Sequence, residues 1–232
     1  MHLLKDSGEK VLDDNFAINV LSVFDRDNWI RPSDRDRINI ALYHGAVSGV
    51  KTDTGWVMEN GEDDINIFND FDYGFLGDIH KTNQSIDKKG KIRYPGATVQ
   101  QNHGESNDKG FLIWDIEDKD KFTCVHHILE NPKPFITAKL TPKGRLPNKL
   151  KVQKNARLRL ISENNLPLDL VRKAIEAAKT RFSPETVTYL SRSAGVRGNV
   201  CLLYTSDAAD DTHCVDICGR RIIKKKCGGG GG

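Results

Sequence analysis

The chain has 232 residues, of which 38% are hydrophobic and 29% charged, a composition typical of a globular protein with one good-sized domain or slightly more. Its net charge of +3 is too small to indicate nucleic-acid binding by itself. No run of about 18 apolar residues occurs and no signal peptide is recognisable, so we expect a protein that is not embedded in a membrane.

The last part of the chain, residues 201–232, differs abruptly in composition from the rest. Its opening, CLLYTSDAAD, resembles the translation of a transposon-type sequencing adapter, and VDICGRRII is two substitutions away from the translation of a later part of that adapter. The lysines at 224–226 match a poly-A run and the final glycines match a poly-G run. We therefore expect residues 201–232 to be non-biological and disordered, with the natural sequence departing from the printed one near Val200.

Four of the five cysteines belong to that segment, which leaves Cys124 as the one thiol of the preceding chain. One thiol gives no disulfide framework. This indicates a reducing, intracellular compartment.

The first region, to about residue 130, is dominated by strand patterns. They are short, rich in Ile, Val, Phe and Tyr, and bounded by Gly, Asp, Asn and Pro. INIALY and YGFL are apolar nearly throughout, as expected of strands covered on both faces, and DDINIFNDF is compatible with a short helix between them. This predicts a layered α/β or β-sandwich half-domain. The predicted strands are FAINVLSVFD (16–25), INIALYHG (38–45), DYGFLGDIH (72–80), KIRYPGA (91–97), GFLIWDIE (110–117) and FTCVHHIL (122–129).

The second region follows the proline-rich junction ENPKPF at 130–135 and predicts a small α+β module. Its strands are FITAKLT (135–141), ARLRLIS (156–162) and TVTYLSR (186–192). A helix is predicted over 168–182, with Asn165 as its cap and Pro167 in its first turn. Its apolar stripe comprises Leu168, Val171, Ala174, Ile175, Ala178 and Phe182.

Three metal-ligating side chains fall at predicted strand ends. His44 ends the strand in ALYHG, and Asp78 and His80 end the strand in YGFLGDIH. Alternating residues of an extended segment share a face, so Asp78 and His80 are expected to converge. If the two strands are neighbours, all three donors meet where open α/β sheets bind ligands, and they suit manganese, iron or zinc.

At these residues the sequence resembles a known family. ALYHG, YGFLGDIHKTN and RYPGATVQQNHGESNDKGFLIWDI resemble the C-terminal half of a calcineurin-like metallophosphoesterase, and more narrowly an SbcD-type DNA-repair exonuclease or the phage recombination endonuclease subunit. The resemblance covers roughly residues 10–195. It implies an α/β (α+β) fold with a partial metallophosphoesterase β-sandwich and flanking helices over 1–130, followed by a truncated DNA-binding cap domain over 131–200.

The resemblance also implies an activity, cofactors and partners. His44 and His80 would each ligate one of two divalent metal ions that hydrolyse DNA phosphodiesters. Asp78 stands where most members have histidine, which favours manganese, with magnesium as the alternative. The expected partners are DNA, an SbcC-like SMC-type ATPase and a second copy of the parent protein. The expected location is the cytoplasm of a bacterial or phage-infected cell.

The resemblance is incomplete at the catalytic centre. The family motifs G-D-x-x-D and G-N-H followed by an acid do not occur in the sequence, and the family's early D-x-H motif is missing from its place before them; Asp78-Ile79-His80 has the letters D-x-H but stands where the resemblance puts G-H-x-H, and Asn102 and His103 provide the letters N-H in a different context. We therefore expect the chain to be a fragment, truncated at both ends and inactive as given, with the catalytic residues in a missing N-terminal part. Two alternatives stay open: another metallophosphoesterase, such as a phosphatase or nucleotide hydrolase, and a non-catalytic DNA-binding or partner-binding module.

Two polar stretches near the strand ends are candidates for DNA contact. The first follows the metal motif and contains Lys81, Lys91 and Arg93, although such a run is also typical of a solvated hairpin. The second is the loop with Gln100, Gln101, Asn102 and His103, for which capping of the loop is an equally good interpretation.

Overall fold

The computed structural model describes residues 6–192 and the backbone of residues 202–204. The described part is a mixed α/β structure, mostly sheet with one α-helix, in agreement with the coarse class expected from the sequence. The elements are β1 (Gly8–Val11), β2 (Phe16–Leu21), β3 (Ile38–His44), β4 (Tyr73–Gly77), β5 (Gln84–Ser85), β6 (Ile92–Tyr94), β7 (Gly110–Ile116), β8 (Phe122–Ile128), β9 (Phe135–Lys139), β10 (Arg157–Ser162), α1 (Leu168–Phe182), β11 (Thr186–Ser191) and β12 (Leu202–Tyr204).

A six-stranded sheet with the order β1-β2-β3-β4-β6-β5 forms the first region. Strands β2, β3, β4 and β6 are parallel to one another, and the edge strands β1 and β5 are antiparallel to their neighbours. The carboxyl ends of the parallel strands therefore meet at one edge, where open α/β sheets bind ligands. The sequence pattern did not indicate β1 and β5, because short polar edge strands carry little hydrophobic signal.

Both faces of the central strand β3 are covered, as its apolar sequence predicts. One face packs against a 3₁₀ helix at Ile65–Phe68, the short helix expected in DDINIFNDF, and buries Phe68 in the main core. The other face carries Ile38 and Ile40 and packs against the hairpin of β7 and β8.

The β7–β8 hairpin forms a second layer on the sheet. Its inner face places Trp114 on Phe75, with ring centroids 4.9 Å apart, and Phe122 on Tyr73, with centroids 5.3 Å apart. These aromatic contacts place the turn end of the hairpin over the first half of β4, and the start of β7 lies toward the carboxyl end of β4, where Lys109 donates to the carbonyl oxygen of His80. They thereby set the position of the loop that enters β7, which matters for the candidate site.

The second region is a four-stranded sheet in the order β12-β11-β10-β9, with α1 packed on one face. The helix has the predicted bounds, but two details of the prediction were wrong. Pro167 occupies the cap position without a side-chain cap, while Asn165 accepts a hydrogen bond from Ser191 instead. Leu168 is exposed rather than part of the buried stripe. No helix within the described residues has the length and apolar character needed to cross a membrane.

The backbone of β12 pairs antiparallel with β11. These three residues belong to the segment 201–232, for which the sequence predicts disorder. The rest of that segment lies outside the described residues, so the prediction for the segment as a whole stays a prediction.

Candidate functional site

The ends of β3 and β4 are direct neighbours. The two strands are parallel, and His44 is the register partner of Gly77. The His44 ring lies over Gly77 so closely that a Cβ added there would lie 3.2 Å from His44 Cε1 and closer still to Nδ1. A glycine at position 77 therefore leaves room for the Nδ1 edge of the His44 ring at the neighbouring strand end.

Asp78 follows Gly77 in an unusual backbone conformation. Its φ is 89°, in the left-handed region that residues with a side chain rarely adopt. The segment after β4 is thus a turn rather than a continuation of the strand, and the sequence-based picture of Asp78 and His80 on one extended face was wrong in this detail. Strained backbone of this kind concentrates at functional sites, where surrounding structure holds it in place.

Asp78 and His80 nevertheless line one cleft with a volume of about 240 Å³. Asp78 is exposed and His80 is half-buried, while Ile79 between them is directed into the core. The turn after β4 thus brings the two donors together by a different route from the expected one. His44 is not part of the lining, which comprises Thr52, Asp53, Thr54, Asp78, Ile79, His80, Asn102, Gly104 and Glu105.

The Nδ1 atom of His80 lies 3.0 Å from Oε1 of Glu105. The same carboxylate accepts hydrogen bonds from the Asn102 side chain at 2.8 Å and from the Gln101 backbone at 2.9 Å, and its side chain is only 7% exposed. Because a carboxylate only accepts hydrogen bonds, Nδ1 of His80 donates, and in the neutral imidazole the lone pair is then on Nε2. This is the arrangement in which a carboxylate orients a metal-ligating histidine.

A buried lysine connects the parts of the site. Lys109, with a side chain 2% exposed, forms an ion pair with Asp53 and donates a hydrogen bond to the carbonyl oxygen of His80 at 2.6 Å. Its Nζ also lies 3.9 Å from Oε2 of Glu105. One ammonium group therefore compensates two buried carboxylates and holds the backbone of the candidate ligand.

The loop after His44 is fixed by Tyr94. The fully buried Tyr94 hydroxyl donates to the carbonyl oxygen of Gly45 at 2.7 Å and accepts from the backbone N–H of Val47 at 3.0 Å. Burial raises the pKa of the Tyr94 hydroxyl well above its ordinary value, so it stays protonated and keeps its donor role. The chain therefore leaves β3 in a defined direction behind His44.

The three predicted metal ligands do not form a ready-made cage. Within residues 6–192, no group of three or more His, Cys, Asp or Glu side chains is arranged to hold a metal ion. What the structure brings together is His44 against Gly77, and Asp78 with His80 in the cleft.

The loop residues proposed for DNA contact have different surroundings. Gln100 is buried, and its amide holds the backbone of Phe135 through hydrogen bonds of 2.8 and 3.1 Å, so it links the first region to the second. Gln101 is exposed, and Asn102 lines the cleft. His103 contacts Thr137 and Phe135; burial, followed by the nearby Arg159 charge, lowers the pKa of His103 to about 4.

The basic residues proposed for DNA contact also differ from one another. Lys91 pairs with Asp120 and lies before β6, at the opposite end of the sheet from the cleft. Arg93 donates to Asn83 and to the carbonyl oxygen of Gly90. Lys81, next to His80, has no ion pair within residues 6–192. Of the three, Lys81 is therefore the one placed to meet a ligand at the cleft.

Sequence reasoning missed Glu105, Lys109 and Asp53. Each lies in a loop without periodicity, and their meeting depends on the fold. The one signal available was the pair of opposite charges at 105 and 109, directly before the apolar strand β7. Charged residues beside a strand start are common on surfaces, which is why this signal did not indicate burial.

No family profile matches the chain. An uncharacterized protein of Acanthamoeba polyphaga mimivirus is 31% identical to it over 161 residues, which is 65% of this chain. The matched part spans 12% of that viral protein, so the chain corresponds to a small part of its length.

Proposed function

We propose that the chain is part of a metal-dependent DNA nuclease that hydrolyses phosphodiester bonds. The basis is the resemblance of the strand-end motifs to SbcD-type metallophosphoesterases, together with the geometry at His80. The finer fold assignment, half of a metallophosphoesterase sandwich followed by a cap, is part of the same proposal.

The contact between His80 and Glu105 carries the proposal. The Nδ1 atom of His80 is held by a carboxylate that is itself almost fully buried and accepts two further hydrogen bonds. Such a carboxylate fixes the tautomer and orientation of the imidazole and makes its free nitrogen a better ligand.

The donors present fit manganese in part. His80 offers an imidazole nitrogen, and Asp78 adds a hard oxygen donor in the same cleft. His44, beside Gly77, is the candidate ligand for a second ion. When bound, such ions neutralise phosphate charge and activate water. Because the described residues hold no complete ligand cage, we assign no catalytic step to this chain by itself.

The parent activity requires residues that this sequence does not contain. The G-D-x-x-D and G-N-H motifs are absent from the printed sequence, and its D-x-H letters at residues 78–80 occupy the position of the later G-H-x-H motif, so we expect no cleavage by the purified chain. DNA, an SbcC-like ATPase and a second parent subunit are proposed as partners on the resemblance alone.

Manganese-induced broadening of backbone amide NMR signals tests the metal site in the whole chain. Paramagnetic broadening detects weak binding, so two donors and water suffice to report it. We expect selective broadening around residue 44 and residues 77–80, and His80→Ala should remove the broadening at residues 77–80. His127→Ala, an exposed histidine on β8, is the control and should leave the pattern unchanged. Broadening centred on acidic turns such as 118–120 in both variants would contradict the proposal.

Sequencing of the coding region across both ends tests the nuclease assignment independently. The three missing motifs in frame upstream would support it. A promoter and stop codon directly before the codon for Met1 would contradict it and favour a non-catalytic binding module.

A further inference from the structure

Residues 47–63, here called the wing, form a loop that is closed by two isolated β-bridges and borders the cleft. Val47 bridges to Asp63 at its base, and Lys51 bridges antiparallel to Val57 near its tip. Thr52, Asp53 and Thr54 at the tip line the cleft with Asp78 and His80. The wing is therefore one wall of the candidate site.

The wing carries an exposed tryptophan. Trp56 is 62% exposed, whereas Trp29 is packed against the core and Trp114 is covered by the sheet. Because Lys51 and Val57 are directly opposite each other, the next opposing pair is Thr52 and Trp56, and opposing residues share a face. Thr52 lines the cleft, so Trp56, its opposite residue on the wing, lies beside the cleft.

The tip of the wing is held rigidly. Thr52 N–H donates to the Trp56 carbonyl oxygen at 2.9 Å, and Gly55 N–H donates to the Thr52 carbonyl oxygen at 3.0 Å. The Gln84 amide exchanges two hydrogen bonds with the Lys51 backbone. The ion pair of Asp53 with Lys109 fastens the tip to the loop before β7. A large aromatic side chain displayed on a fixed loop is preorganised for binding.

The charges around Trp56 suit a polyanion that carries aromatic groups. Lys51 directly precedes Thr52 on the wing and Lys81 directly follows His80, and neither has an ion pair within residues 6–192, so each segment bordering the cleft carries an unpaired ammonium group. Two of the nearby acids, Asp53 and Glu105, are engaged with Lys109 and His80. Lysines for the backbone and an aromatic face for a base are the features by which proteins hold single-stranded nucleic acid.

We propose that Trp56 stacks on an unpaired base of a DNA strand whose backbone passes between Lys51 and Lys81 into the cleft. The inference rests on the proposed nuclease function and specifies it: the site takes a single strand or a frayed end, because a base inside a duplex offers no free face. Stacking tolerates every base, so recognition by Trp56 is independent of sequence.

Fluorescence anisotropy of a labelled oligothymidine of about 12 nucleotides tests the proposal, a length within the range that single-strand sites cover. The titration uses the whole chain at low salt without metal, so its result does not depend on whether the strand ends bind manganese. Trp56→Ala is expected to weaken binding by about tenfold, the effect of losing one stacked base. Trp56→Phe, which keeps an aromatic face, should stay within about threefold of the unchanged chain.

Two controls make the experiment decisive. Phe111→Ala removes another exposed aromatic side chain, on the outer face of the β7–β8 hairpin, and should leave binding unchanged. A duplex of the same length should bind with no dependence on residue 56. The proposal is overturned if Trp56→Ala binds the strand like the unchanged chain, if Trp56→Phe loses as much as Trp56→Ala, or if strand and duplex lose equally. A protein-binding role for Trp56 would give the first of these outcomes.

Discussion

His80 and Glu105 are 25 residues apart in sequence, and their side chains meet at 3.0 Å. Glu105 is held from the other side by Asn102, by the Gln101 backbone and by the charge of Lys109. The loop before β7 therefore determines which nitrogen of His80 carries a proton and which can bind a ligand. The residues that orient the His80 ring thus lie outside the sequence motif to which His80 belongs.

Glu105→Gln is expected to weaken manganese binding at His80 by about tenfold or more, because a neutral amide supports the imidazole less strongly than a carboxylate does. The His80 ring nitrogens should also shift away from the Nδ1-protonated tautomer. Nitrogen NMR of the imidazole measures the second effect without metal. Glu117→Gln is the matched control, since Glu117 pairs with Lys121 on an exposed turn. An unchanged His80 tautomer in Glu105→Gln would show that Glu105 does not orient the ring.

Gly77→Ala is expected to destabilise the chain by about 1–3 kcal/mol, because the new methyl group would occupy the space of the His44 ring. The free energy of unfolding from urea titration measures this. The same substitution in a His44→Ala background removes the cause and should cost less than about 1 kcal/mol. Equal costs in the two backgrounds would mean that the ring moves aside freely and that Gly77 does not hold it.

Much of the scaffold follows from local patterns, and the site does not. The apolar runs of β3 and β4 and the stripe on α1 are visible in the sequence because burial there repeats with the period of the element. The positive φ of Asp78 and the meeting of Asp53 with Lys109 depend on which loops the sheet brings together. Asp53 and Lys109 are 56 positions apart, so no local window contains their relationship.

Lys109→Met is expected to destabilise the chain by about 3–5 kcal/mol, because it leaves the carboxylates of Asp53 and Glu105 buried without a compensating charge. The double variant Asp53→Asn/Lys109→Met also removes the charge of the Asp53 carboxylate, so it should recover part of the lost unfolding free energy. Lys121→Met removes an exposed ion pair and should cost less than about 1 kcal/mol. Urea unfolding of the three variants makes the comparison. A loss for Lys109→Met as small as that for Lys121→Met would contradict the buried-network interpretation.

His103 should make stability depend on pH in a defined window. Its pKa is lowered from 6.5 to about 4 in the folded chain, so the unfolded chain binds a proton first as the pH falls. Stability associated with His103 is therefore intact above pH 6.5 and decreases between about pH 6.5 and 4, by a total on the order of 3 kcal/mol. In His103→Leu this contribution to the pH dependence of stability should be absent. The unfolding free energies of the unchanged chain and of His103→Leu, each measured at pH 7 and pH 4.5, show it: the decrease between the two pH values should be smaller in the variant. An NMR titration that places the His103 pKa near 6.5 would refute the prediction.

Gln100→Leu is expected to loosen the junction between the two regions. The Gln100 amide accepts from the Phe135 N–H and donates to the Phe135 carbonyl oxygen and to the Glu105 carbonyl oxygen. Leucine has a similar volume but leaves these buried groups without partners, at a cost of about 1–3 kcal/mol. The amide of Phe135 should then exchange with solvent faster than the amides of the neighbouring strand β10.

The adjacent glutamine provides the control for this last prediction. Gln101 is exposed and engages Glu105 through its backbone alone, so Gln101→Leu should change the unfolding free energy by less than about 0.5 kcal/mol. Because Gln100 also holds the backbone of Glu105, its loss should shift the His80 ring signals as well, whereas Gln101→Leu should not. If Gln100→Leu and Gln101→Leu have the same unfolding free energy and the same His80 ring signals, the second region is held to the first by other contacts. In that case a change at Phe135 does not reach His80 through Gln100 and Glu105.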